Sequence, residues 1–195
     1  MDGPLAAFLE SLHREGREFD AMQPRRLDRR RNLEPDSAAL LALLVRAIAP
    51  ERILEIGTSN GYSTIWLADA ARAVGAELTT VEADSDRLRQ AQANLEDAGL
   101  ATGVEMRHGD AGAILRDAPA GAWGLILLDA DRRDYVSYWP DLVRVLPPGG
   151  LLAVDNVISH AEDVGEFRAL VAAEPHMQES LAPTGAGLLL VVKDR

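Results

Sequence analysis

The sequence predicts an α/β fold, a doubly wound sheet that is mostly parallel and closes with an antiparallel pair. Apolar runs of five to seven residues alternate with longer segments of helical period, the pattern of a parallel sheet covered on both faces. A length of 195 residues fits one domain with a full core. Near the carboxyl terminus QESLAP, TGAG and LLLVVK read as two strands joined by a glycine-containing turn, so the last pair runs antiparallel.

In chain order, residues 1–50 form a helical cap and residues 51–195 the core of a single domain, 1–195. In the cap, PDSAALLALLVRAIAP is a helix with Asp36 or Ser37 at its start and Pro50 past its end. The segment before it, AMQPRRLDRRR, holds five arginines and one aspartate in 11 residues. It reads either as a solvated helix end or loop, or as a flap over a ligand crevice that recognises an acidic substrate group. Strands follow at 52–56, 77–82, 104–108, 124–129 and 150–155. Helices are expected at 63–74, 85–98, 134–146 and 161–173, with a weaker one at 111–116. Ser85 is placed as the N-cap of the helix that Gly99 stops.

Composition narrows the function. The chain carries 20 basic and 31 acidic residues, a formal charge of −11, which disfavours nucleic acid and points to a small-molecule substrate. No cysteine is present, so disulfides and thiolate chemistry are excluded, in keeping with a cytoplasmic protein. No apolar run nears the roughly 18 residues that cross a bilayer, so no membrane partner is expected. The start, MDGPLAAFLESLHRE, lacks the basic region of a secretory signal.

The stretch RILEIGTSNGYST, residues 52–64, passes from a buried strand through Glu55 into a turn with Gly57 and Gly61. Those glycines suit a sharp turn or a close approach to a ligand, and the helix beginning near Ser63 offers backbone N–H groups. The spacing G-x-x-x-G lacks the middle glycine of the dinucleotide fingerprint, and Glu55 would repel a pyrophosphate. A carboxylate there suits a cationic ligand, such as the sulfonium and ammonium of S-adenosylmethionine; the plain alternative is a strand-to-helix connection with an exposed acid.

Ligands of an open parallel sheet bind outside the carboxyl ends of its strands, and acids stand at five of those ends: Glu55, Glu82, Asp110, Asp129 and Asp155. Glu82 can accept two ribose hydroxyls, while Asp110 and Ala111 sit where an adenine could be held. Asp129, Asp155 and Asn156 are three hard oxygen donors from the ends of two neighbouring strands, a set that suits Mg²⁺ better than zinc. The alternative is an Asx turn at Asp155 and Asn156.

The motifs E-I-G-T-x-x-G-Y-S, V-E-x-D, G-D-A, L-D-A-D-(K/R)-x-x-Y and P-G-G-L-L-x-x-D-N-V together resemble the cation-dependent class I S-adenosylmethionine O-methyltransferases of the caffeoyl-CoA and catechol type. The likeness runs from about residue 32 to the carboxyl terminus. It implies a Rossmann-like seven-stranded sheet with a reversed last strand, the class I methyltransferase fold, and a homodimer. It also implies cofactor contacts at Glu55, Gly57, Thr58, Ser63, Glu82, Ala111 and Asp131, the backbone near Leu33 closing over the methionine end, and metal ligation by Asp129, Asp155 and Asn156. The expected reaction is methyl transfer to a hydroxyl of a small catechol-like or vicinally hydroxylated acceptor. Metal-independent methyl transfer and a catalytically weakened S-adenosylmethionine-binding protein are the alternatives.

The chain departs from this family where a lysine commonly follows D-A-D: it has Arg132, which cannot act as a base. His160 is the nearest titratable candidate, its other reading being a structural loop residue. His13, His108 and His176 have no constellation around them in sequence. Tyr62, Tyr135, Tyr138 and Trp139 read either as acceptor-pocket walls or as packing.

Overall fold

The computed structural model describes residues 1–25 and 28–195. Seven strands, β1 (Arg52–Ile56), β2 (Glu77–Glu82), β3 (Val104–His108), β4 (Leu125–Leu128), β5 (Leu151–Val154), β6 (Met177–Ala182) and β7 (Leu188–Lys193), form one sheet in the order β3-β2-β1-β4-β5-β7-β6. The first five pair in parallel, and β7 runs antiparallel to both β5 and β6. The chain therefore builds outward from β1 to β3, returns to lay β4 against the other side of β1, and builds outward again. The reversal between β1 and β4 opens a crevice at their carboxyl ends.

The two sheet faces carry separate apolar layers because strand side chains alternate. Ile53, Leu125 and Leu151 meet α1 (Gly3–Met22), α2 (Pro35–Ile48), α3 (Tyr62–Val74) and α4 (Ser85–Asp97) through Leu9, Leu41, Ile65 and Leu95. Leu54, Ile56 and Leu128 meet α5 (Ala111–Asp117), α6 (Tyr135–Val145) and α7 (Gly165–Ala173) through Leu115, Trp139 and Phe167. Each fully buried aliphatic side chain contributes about 2 kcal/mol, so both layers hold the strand ends in place. No helix among the described residues is long and apolar enough to cross a membrane.

Several boundaries differ from expectation. Asp84, not Ser85, caps α4, its side chain accepting from the N–H groups of Asp86 and Arg87. The cap helix starts at Pro35, whose missing N–H costs nothing in the first turn, so Asp36 and Ser37 lie inside it. α7 starts at Gly165 rather than 161 because residues 157–164 fold as turns. β4 and β5 are a residue shorter at each end than read, leaving Asp129 and Asp155 just beyond the ladders. In the arginine-rich segment, Arg26 and Leu27 lie outside the described residues.

Candidate functional site

Glu55 sets the polarity of the crevice from below. Period-2 alternation turns it to the same face as Ile53, under the start of α3, and register pairs it with Thr80. It is fully buried; Ser63 Oγ donates to Oε1 at 2.5 Å, and Thr64 and Thr80 hydroxyls donate to Oε2 at 2.5 and 2.6 Å. Burial outweighs these three donors and pushes its carboxyl up to about 7. Thr58 Oγ1 lies 2.6 Å from Thr80 Oγ1. With Glu55 ionised, the proton of Thr80 is committed to it, so Thr58 donates to Thr80. Ser63 and Thr58 line the cavity above with their protons turned away from it, and they present oxygen lone pairs. The expected direct contact of Glu55 with a cation is thus replaced by an indirect role: Glu55 lies beneath the cavity and orients the hydroxyls that face it.

The cavity has a volume of about 440 Å³ and is lined by Leu33, Gly57, Thr58, Ser63, Glu82, Asp110, Ala111, Asp129, Asp131 and Asn156 among others. Gly57 has φ +104°, and a Cβ there would stand 2.0 Å from the Asp129 carbonyl oxygen, so only glycine lets β1 turn off against the end of β4. Gly61 does not line the cavity; its φ is +85° and it packs on Ala91, seating α3 on α4.

Each further acid has a defined state. Glu82 accepts from Ser59 N at 2.8 Å and Asp84 N at 3.1 Å, which fixes its carboxylate and leaves lone pairs for a vicinal diol. Asp110 caps α5 through the N–H groups of Gly112 and Ala113, so its carboxylate is largely committed while the Ala111 backbone opens the helix. Asp131 accepts from the backbone and guanidinium of Arg133, which hold its carboxyl below the usual range. Tyr135 braces this loop, its hydroxyl meeting Ala130 N at 3.2 Å and the Ala130 carbonyl at 3.3 Å.

At the far end Asp129, Asp155 and Asn156 converge. Asn156 Nδ2 donates to Asp129 Oδ1 at 3.2 Å and to Asp155 Oδ2 at 2.7 Å, from a backbone with φ +68°. Burial raises both carboxyls, and the charge of Asp129 raises Asp155 further. Asp155 Oδ1 is buried without a hydrogen-bond partner. Two mutually repelling acids, an orphaned oxygen and an amide fit a hard cation. No group of three or more His, Cys, Asp or Glu side chains among the described residues could hold a metal, so the set depends on Asn156 as its third donor. Arg132 bears electrostatically on both acids, and its buried Nε has no hydrogen-bond partner.

His160 lies away from the first cavity and lines a second, with Asp155 and Asn156; its Nδ1 is 2.8 Å from Ser159 Oγ. His13, which the sequence leaves without a constellation, lines the same cavity. His108 instead bonds the Ala83 carbonyl at 3.0 Å. Tyr62 and Tyr138 line the first cavity, whereas Tyr135 and Trp139 pack edge-on against Phe167.

Residues 30–33, at the end of the arginine-rich segment and just past it, cover the crevice: Arg30, Arg31, Asn32 and Leu33 line it, Ser59 Oγ donates to the Arg30 carbonyl at 2.8 Å, and Arg30 stacks over Phe19 at 4.3 Å. Sequence reading passed over Asn60, whose amide is buried at the first cavity with neither end bonded. Thr64 and Thr80, which hold Glu55, escape it too: the one signal for Thr80 is the polar TT inside an apolar strand, and Thr64 has none.

A family model described as O-methyltransferase matches residues 7–194. The chain is 37% identical over 138 residues to a catechol O-methyltransferase of Niastella koreensis, covering 69% of this chain and 62% of that one. It is 40% identical over 118 residues to a catechol O-methyltransferase of Mycobacterium tuberculosis, covering 60% and 53%. The match thus spans between half and two thirds of the length of these relatives. The crystal structure of the O-methyltransferase TomG from Streptomyces achromogenes, in complex with S-adenosylmethionine, aligns with a TM-score of 0.80 at 28% identity over 100% of this chain and 91% of that one.

Proposed function

This chain belongs to the O-methyltransferase family, and from that premise we propose that it moves a methyl group from S-adenosylmethionine to a hydroxyl of a small, vicinally hydroxylated acceptor with the help of a divalent cation, Mg²⁺ suiting the donors best. The observation that carries this reading is the convergence of half-buried Asp129 and buried Asp155, joined through Asn156, with Asp129 and Asn156 lining the same cavity as Glu82.

Bound S-adenosylmethionine supplies an electrophilic methyl group on a sulfonium, and a bound cation acts as a Lewis acid that lowers the pKa of an acceptor hydroxyl. Glu82 would hold the ribose hydroxyls, the Ala111 backbone and Asp110 the adenine side, and Ser63, Thr58 and the amide of Asn60 the amino acid end. Gly57 and Leu33 would let backbone close on the cofactor. Asp129, Asp155 and the Asn156 amide oxygen would hold the cation. Positioning is the main catalytic task, since aligned reactants need little further chemistry. Arg132 offsets negative charge at the acids and in the acceptor, and His160, beside Asp155 and Asn156, would take the proton. A metal-independent reading draws on one observation, that the Asn156 amide already spans both carboxylates.

Calorimetric titration with S-adenosylhomocysteine tests the cofactor assignment. Glu82→Ala is expected to weaken binding by about 1 to 3 kcal/mol through lost charge-assisted hydrogen bonds; an unchanged dissociation constant would refute the role of Glu82. Arg132 is tested through pH–rate profiles. Because guanidinium only carries charge, Arg132→Lys should retain activity within about tenfold and add an ionisation to the profile. A dead Arg132→Lys enzyme that still binds S-adenosylhomocysteine would show that the planar guanidinium is required.

A further inference from the structure

A second cavity of about 280 Å³ opens beside the acid pair, between α1 and the arginine-rich segment. It shares Arg31, Asn32 and Asn156 with the first, so a molecule within it reaches the place where the acids converge. We propose that this cavity seats the acceptor and that the acceptor is a vicinal diol carrying a carboxylate, held by Arg17 and Arg29. The proposal rests on methyl transfer taking place at Asp129, Asp155 and Asn156.

One face of α1 forms the wall: His13, Gly16, Arg17 and Asp20 stand at i, i+3, i+4 and i+7. Gly16 is needed there, since a Cβ would stand 2.4 Å from the Asn32 amide nitrogen, so α1 and the segment close into a cavity rather than splay apart. The cavity gathers Arg17, Arg29 and Arg31 in a chain whose formal charge is −11. Two of its three acids, Asp20 and Asp155, are engaged elsewhere, and the third, Glu34, is more than half exposed. Asp20 accepts from the backbone N–H groups of Arg30 at 2.6 Å and Arg31 at 2.9 Å, Glu34 lies 3.9 Å from His13 Nε2, and Asp155 belongs to the acid pair.

Arg17 is exposed, and no hydrogen bond or ion pair ties it to another described residue. Arg29 donates through Nε and Nη2 to the Gln23 carbonyl, both at 3.2 Å, which fixes its plane and leaves Nη1 to donate elsewhere. A planar guanidinium held in this way suits a carboxylate. The volume suits a single aromatic ring with a short acidic arm, its two hydroxyls toward Asn156 and its acid toward α1.

Isothermal titration of the protein loaded with S-adenosylhomocysteine and Mg²⁺ tests this with two probes, 3,4-dihydroxybenzoate and the uncharged 4-methylcatechol. The acid is expected to bind about tenfold tighter, and Arg17→Gln with Arg29→Gln should bring the ratio close to one while leaving S-adenosylhomocysteine affinity unchanged. Arg17→Gln alone, at an exposed position, carries the same comparison should the double variant lose S-adenosylhomocysteine binding. Equal affinity for the two probes in the wild type, or a ratio kept in the variants, overturns the carboxylate while leaving methyl transfer to a diol standing. Binding of neither diol overturns the diol reading as well.

Discussion

Dialysis against a chelator is expected to lower methyl transfer to a catechol probe roughly a hundredfold, with Mg²⁺ restoring it. The reason lies first in the acceptor, since a phenol of pKa near 10 is well under about 1% ionised at pH 7.5. Lowering that pKa by about two units raises the reactive fraction roughly a hundredfold. The reason lies also in the protein. Asp155 is pushed up by burial and by the charge of Asp129, and its Oδ1 finds no hydrogen-bond partner. Asp155→Ala should reproduce the chelated rate without rescue by Mg²⁺, while S-adenosylhomocysteine still binds. Because carboxylates must lose their protons to ligate, Mg²⁺ should raise the Tm more at pH 8 than at pH 5. Full activity after chelation, together with an unchanged Asp155→Ala enzyme, would establish the metal-independent reading.

The sheet was legible because its strands are apolar runs with sharp ends. Residues 52–56, 77–82 and 104–108 match β1, β2 and β3 to the residue. β7 reverses as read, from the short glycine-containing turn that joins it to β6. Asp129 and Asp155 were included in strands because sequence does not show where pairing stops. In the structure both stand just past the last paired residues, Leu128 and Val154, which frees their side chains to meet.

What the sequence concealed was the third dimension of the acids. Glu55 and Glu82 look alike at strand ends, yet Glu55 shares a register row with Thr80 and is covered by α3, whereas Glu82 stands two residues further along the same face, past the last rung joining β1 to β2, where it lines the crevice. Asp110 and Asp131 look like ligand contacts, but each spends hydrogen-bonding capacity on its own turn. The α1 wall was illegible for another reason. Nothing local in HREGR says that this helix will fold back across the carboxyl ends of β4 and β5, because only the packing of Leu5, Leu9 and Leu12 on α2 and α3 brings it there.

Glu55→Gln is expected to make the cofactor-free protein more stable at pH 8 and to impair it as a cofactor binder. Burial raises this carboxyl from its ordinary value near 4.5 to about 7, so the folded chain holds a proton that the unfolded chain releases. Between pH 4.5 and 7 the native state therefore binds more protons, and stability falls as pH rises through that window. A shift of this size corresponds to about 3 kcal/mol above pH 7. The wild type should lose roughly that much between pH 4.5 and 8 on account of Glu55, and the glutamine variant should lack this part of the slope in denaturant titrations followed across pH. The functional cost follows from the same hydrogen bonds. An amide offers one acceptor and two N–H donors to the three hydroxyls that now donate to Glu55. At least one of the chains ending at Ser63 or Thr58 must then reverse and turn a proton into the cavity, where a cationic ligand needs a lone pair. S-adenosylhomocysteine, whose ammonium remains, should bind at least about tenfold more weakly to the variant at pH 8, as expected for loss of one charge-assisted contact. A stability profile parallel to that of the wild type between pH 4.5 and 7 would show that Glu55 is not protonated in the fold, and unchanged binding would remove it from the cofactor site altogether.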